Sequence, residues 1–216
     1  MKKLLSLAFI FSISLAYADY PGTWWKPFPK EQAESWEILP QDAKEGEVIL
    51  SKRTELGIFS NLSPSPIEFE SEHYASVEAF WQMMKFPDPN DLQDERNHFS
   101  QEFSITREAV KKLVMFEAKH AGDLANKVMK EHSINWVTYQ EKKFNYKDMA
   151  EGSQYHYDLI YKVMWAKVTQ NPEIKNLLLQ TGNLILKPDH VQAANSPKAY
   201  FYFDILMDIR KKLANE

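Results

Sequence analysis

Residues 75–86, ASVEAFWQMMKF, constrain this chain more than any other segment. Ser76 suits a helix N-cap and Pro87 blocks continuation, so about ten residues of helix are expected between them. Phe80, Trp81, Met83, Met84 and Phe86 make most of its circumference apolar, and a helix of that kind is expected inside the fold. At 100° per residue, however, Glu78, Gln82 and Lys85 lie within about 60° of one another, a polar stripe on an apolar helix. On a buried helix such a stripe faces a cleft more often than bulk water. Spacing alone leaves a second account open. Glu in the first turn and Lys in the last are what the helix macrodipole prefers, and an exposed stripe would read the same.

Several chemistries are excluded around that segment. The 216 residues contain no cysteine, which removes disulfides, thiolate nucleophiles and cysteine-based metal sites. The six histidines (73, 98, 120, 132, 156 and 190) form neither H-E-x-x-H nor a close pair. Each reads as a surface or hydrogen-bonded side chain, and neither metal nor nucleotide cofactor is expected. Six glycines without a cluster give no P-loop or Rossmann fingerprint, and no G-x-S-x-G elbow occurs. A net charge of −4 argues against a nucleic-acid partner. Residues 1–18 read as a secretory signal peptide: Lys2 and Lys3, an apolar run from Leu4 to Leu15, then Ala16-Tyr17-Ala18 as the cleavage signal. The run is too short to span a bilayer, and no later one approaches membrane length. A periplasmic or secreted protein beginning at Asp19 is expected, with no membrane partner.

Residues 19–47 carry four prolines with Trp24, Trp25 and Trp36, and read as an extended arm with one short helix, packed onto the body by its aromatics. From residue 48 a single domain is expected. EVILSK (47–52), the alternating PIEFESEHYA (66–75) and NLILK (183–187) have strand character. FPDPNDLQDERNHF is a polar, Pro-broken loop. Helices are expected over TREAVKKLVMF, EAKHAGDLANKVMKEH, 151–170, PEIKNLLLQ and AYFYFDILMDIRKKL, with Tyr157, Ile160, Tyr161, Met164 and Val168 on one face of the third. The fold class is α+β: one mainly helical domain with a small β component.

From about residue 48 to the C-terminus the chain resembles the NADAR family, also called YbiA-like proteins, whose known members are N-glycosidases. Phe59-Ser60-Asn61-Leu62 matches the family's F-S-N-F except at its last residue. Ser76, Glu78, Gln82 and Lys85 match its S-x-E-H-x-x-Q-x-x-K helix, with Ala79 where histidine is usual. Trp136 stands where the family has a tryptophan, and residues 163–186 match its V-M…Q-N-P and L-L-x-T-G blocks. Lys187 replaces a family Glu, Asp189 stands for its Asp, and the following W-G pair is missing.

The resemblance implies cleavage of an N-glycosidic bond. That reaction develops positive charge on the ribose ring, which a carboxylate near the anomeric carbon stabilises, or it proceeds by a carboxylate that activates water. Glu78 fits, and its place in the first helical turn favours the ionised form. The alternative is a Schiff base formed by a neutral Lys85, which needs burial to lower its pKa. Gln82 is a candidate for holding ribose hydroxyls, Asn61 for the same or for binding a phosphate, Trp136 for stacking on the leaving ring, and Asp189 for orienting a hydroxyl or the base. Asp189 is also a common type of turn residue after Pro188. The expected substrates are small ribosides: ADP-ribosyl adducts, NAD fragments or riboflavin-pathway-like intermediates. A binding protein that keeps the pocket without the chemistry is the competing reading, and it should tolerate glutamine at position 78.

Overall fold

A computed structural model describes residues 20–147 and 151–216. The signal peptide expected over 1–18 lies outside the described residues. The fold is α+β, with helices and three separate two-stranded ladders around one continuous core.

The segment read first is its centre. Helix α1 (Val77–Met83) is shorter than expected, with Met84 as its C-cap. Ser76 caps it, accepting from the Ala79 amide at 3.0 Å while donating to the Leu113 carbonyl. Phe80, Met83 and Met84 are all but completely buried. Helices α2 (Arg107–Val110), α3 (Met115–Glu131) and α4 (Glu151–Gln170) surround α1. Helix α3 comes close because it presents Ala118, Ala121, Gly122 and Ala125 as its buried face. A side chain at Gly122 would collide with Gln82, its Cβ falling 1.6 Å from Oε1.

On α4 the buried face is rotated from the expected one. Ile160, Met164 and Val168 are buried, but Tyr157 and Tyr161 are only half-buried, and the deepest stripe includes His156, Val163 and Lys167. Helices α5 (Pro172–Gln180) and α6 (Tyr202–Leu213) pack on α4 and on each other. The two helices expected across 106–132 divide further upstream than the sequence suggests: α2 is a single turn, and Met115, at φ 53°, opens α3.

Strand β1 (Glu47–Ile49) pairs in parallel with β6 (Ile185–Lys187), Val48 opposite Leu186. Strands β2 (Ile67–Phe69) and β3 (Glu72–Tyr74) form a hairpin, as do β4 (Val137–Tyr139) and β5 (Lys142–Phe144). Both hairpins turn through two residues of positive φ, Glu70-Ser71 and Gln140-Glu141, and the second was not anticipated. The arm ahead of β1 is three short 3-10 turns rather than one helix. Its aromatics anchor it as expected, with Trp24 fully buried and its Nε1 donating to Glu55 at 2.6 Å. Among the described residues no helix is long and apolar enough to cross a membrane.

Candidate active site

The polar stripe of α1 faces a cleft of about 1230 Å³. Glu78, Gln82 and Lys85 line it together with Asn61, so four of the six residues singled out in the sequence converge. The Glu78 amide donates to the Asn61 carbonyl at 2.9 Å, which fixes the loop before the helix to its first turn. The loop is held from below by Lys167, whose Nζ donates to the Ser60 carbonyl (2.7 Å) and to Ser63 Oγ (2.9 Å). Gln82 Nε2 donates to Glu78 Oε1 at 2.6 Å, pinning the carboxylate from the next turn.

Burial dominates the electrostatics of the stripe. It pushes the Glu78 carboxyl above the usual range, while the hydrogen bond from Gln82 and the charge of Lys85 pull the other way. Helix position favours the ionised form of Glu78, but burial is the largest influence on it and works against that form. Lys85 is 4% exposed, and burial lowers its ammonium to about 8, against the opposing charge of Glu78. The burial that a nucleophilic lysine requires is present.

Trp136 does not line the cleft. It packs beneath Arg96 (4.7 Å from the ring centre) and Lys143 (3.9 Å), so its expected stacking role is withdrawn. The wall that offers exposed aromatic surface comes from the arm and from α3. Trp36 is 43% exposed and Phe116 52%, and both line the cleft. Asp189 is also placed differently from expectation. It is buried behind the wall, where its carboxylate meets Lys52 Nζ at 2.5 Å and His190 Nδ1 at 3.0 Å, and both of those partners line the cleft. Burial alone would raise the Asp189 carboxyl, yet hydrogen bonds from His190 and Lys52 hold it below its ordinary value. Its carbonyl accepts from the Ile38 amide (2.8 Å), so it also joins the arm to the chain after β6.

Two features of the site escaped the sequence. One is the set of lysines: Lys52, Lys85, Lys119 and Lys147 line the cleft with Glu37, Glu78 and Asp123, while Asp189 behind the wall pairs with Lys52. The other is His156. Among the described residues, four buried side-chain polar atoms lack a protein partner: Asn61 Oδ1, Gln82 Oε1 and both ring nitrogens of His156. All belong to residues that line this cleft. A helical spacing of His156, Ile160, Val163 and Lys167 was the available signal for a buried histidine. No three His, Cys, Asp or Glu residues gather to hold a metal among the described residues.

Comparison with solved structures gives an NMR structure of the E. coli protein YbiA, at 19% sequence identity and a TM-score of 0.47, over 76% of this chain and 82% of that one. No family model and no curated protein matches the chain.

Proposed function

We propose that the chain is an N-glycosidase that hydrolyses the bond between a ribose carbon and the nitrogen of a base or amine. The observation that carries this reading is the convergence on one cleft of the Glu78 carboxylate, the Lys85 amine and the unpartnered polar atoms of Asn61 and Gln82. The motif resemblance supplies the reaction class. The lysines around the cleft favour an anionic ligand, and Trp36 and Phe116 offer faces for a planar ring, as an ADP-ribosyl adduct or another phosphorylated riboside would require.

In this reading the C–N bond breaks with its electron pair leaving on nitrogen, and ionised Glu78 stabilises the positive charge that grows on the ribose ring. Water adds to the sugar carbon, Glu78 takes its proton, and a proton returns to the departing nitrogen. Burial raises the Glu78 carboxyl above its ordinary value, the direction that makes it a better proton acceptor. The geometry also favours a second route. With an ammonium near 8, about one tenth of Lys85 is neutral at pH 7 and able to attack C1 of the ring-opened riboside. The base or amine nitrogen leaves with a proton as the lysine Schiff base forms, and water then hydrolyses that imine to release the sugar.

Purified protein incubated with a panel of phosphorylated ribosides and ADP-ribosyl adducts should release free sugar. Borohydride separates the routes: a trapped sugar adduct that disappears in Lys85→Ala means the Schiff base, and its absence during turnover means the carboxylate. If no member of the panel is cleaved but some are bound, the binding-protein reading replaces this one. We propose export with the same reading, and mass spectrometry of the native protein should find Asp19 at its N-terminus. The reaction uses only water, so a chelator should leave it unchanged.

A further inference from the structure

His156 is 1% exposed, and neither of its ring nitrogens has a protein partner. Its ring is held in an aromatic box, 4.1 Å from Trp81 and 5.8 Å from Tyr146, with the Tyr200 ring edge-on at 6.1 Å. The box fixes the orientation without satisfying either nitrogen. Burial, helped by the nearby Lys85 charge, depresses the imidazole to about 3, so the ring is neutral at physiological pH and carries one donor and one acceptor. An unmet buried donor or acceptor is costly, and a phenylalanine would fill the same box without that cost. The position thus gives up stability to keep a polar ring at the cleft.

We propose that His156 is a ligand-binding residue that hydrogen-bonds a sugar hydroxyl of the substrate, and so helps the cleft select ribose over deoxyribose. A hydroxyl both donates and accepts, so it satisfies either tautomer of a neutral imidazole. The unpartnered oxygens of Asn61 and Gln82 accept further hydroxyls. A proton-transfer role is the poorer fit, because a ring that stays neutral to about pH 3 is a weak base. The assignment rests on the reading of the cleft as a riboside site, but it concerns binding and not turnover.

The test is calorimetric titration of wild type, His156→Phe and His156→Gln with AMP, 2′-deoxy-AMP and 3′-deoxy-AMP, alongside thermal melts. Wild type should bind AMP more tightly than at least one deoxy analogue. His156→Phe should narrow that gap about three- to tenfold, the usual worth of one hydrogen bond, with a Tm unchanged or higher. His156→Gln, which keeps a donor and an acceptor, should retain more of the gap. A gap unaltered in His156→Phe overturns the proposal, as does wild type that binds no probe or does not discriminate. If His156→Phe fails to fold, His156→Gln with wild-type stability and a reduced gap supports it, and an undiminished gap overturns it. Discrimination without any turnover of ribosides would end the glycosidase reading and leave this assignment standing.

Discussion

Arg96 and His156 are both almost completely buried, yet their surroundings are built on opposite plans. The Arg96 guanidinium donates to both carboxylate oxygens of Asp94 (2.8 and 2.7 Å), to the Met84 carbonyl (2.9 Å) and to Thr138 Oγ1. Arg107 reinforces it, donating to the Phe86 and Thr138 carbonyls at 2.9 Å each. Burial works against the Asp94 charge, but Arg96 holds that carboxyl below its ordinary value. These two arginines thus grip the backbone on either side of Lys85. Around His156 and Gln82, by contrast, polar atoms are buried with no protein partner at all. A buried network that closes on itself makes a scaffold, and one left open makes a site for something else to complete it.

The largest effect expected from breaking this contrast is chemical. Glu78→Gln keeps the shape of the stripe and removes its charge, and should lower turnover ~10²–10⁴-fold without lowering Tm. Near-normal turnover in that variant would sink the catalytic reading of the open region. Arg96→Met strikes the closed region and strands Asp94 as a lone buried charge. Urea unfolding should show a loss of about 3–5 kcal/mol, the range for breaking a buried pair. A loss under about 1 kcal/mol would place Arg96 with ordinary surface pairs and erase the distinction.

Gly122→Ala tests how tightly the open region is shaped. The new methyl must displace the Gln82 side chain, so a destabilisation of about 1–3 kcal/mol and a raised KM are expected together. A raised KM with no change in stability would show that the Gln82 side chain swings aside freely. The smallest effect is a slope. Lys85 holds its proton less firmly when folded, near 8, than in the unfolded chain at about 10.4, so between those values the unfolded state binds more protons and stability should rise with pH. In Lys85→Met that rise should be smaller but still present, because buried Lys167, near 7, titrates in the same sense. An unchanged slope would mean that Lys85 is not desolvated in the folded protein.

The stripe was legible because its information is local. Glu78, Gln82 and Lys85 lie within eight residues, Ser76 marks the start, and the turn at the end of α1 keeps Lys85 on the same side although the helix stops at Met83. The aromatic wall was not legible for the opposite reason. Trp36 reaches the cleft only because Glu37 bridges to His190 and Ile38 bonds to Asp189, contacts across about 150 residues that no local pattern encodes. Trp136, the wrong choice, was named by position in a motif, whereas its ring is committed to Arg96 and Lys143. The β4–β5 hairpin was missed because its turn places Gln140 and Glu141 at positive φ, where Asn-Gly or Asp-Gly is the usual signal. On α4 the two half-exposed tyrosines drew attention from His156 and Lys167, since buried polar residues on an apolar face weaken the periodicity that reveals it.

The parallel pairing of β1 with β6 bears on when the cleft comes into being. Strand β1 carries the arm, and its partner lies well over a hundred residues further along the chain. Emerging N-terminus first, from the ribosome or from an export channel, the chain presents the helix bearing Glu78 long before Ile185 and Lys187. The polar stripe of α1 can therefore pack early against α3, while the wall made by Trp36 and Ile38 waits for the last quarter of the polypeptide. Such distant closure is slow in folding, so the floor of the cleft should form before its aromatic wall.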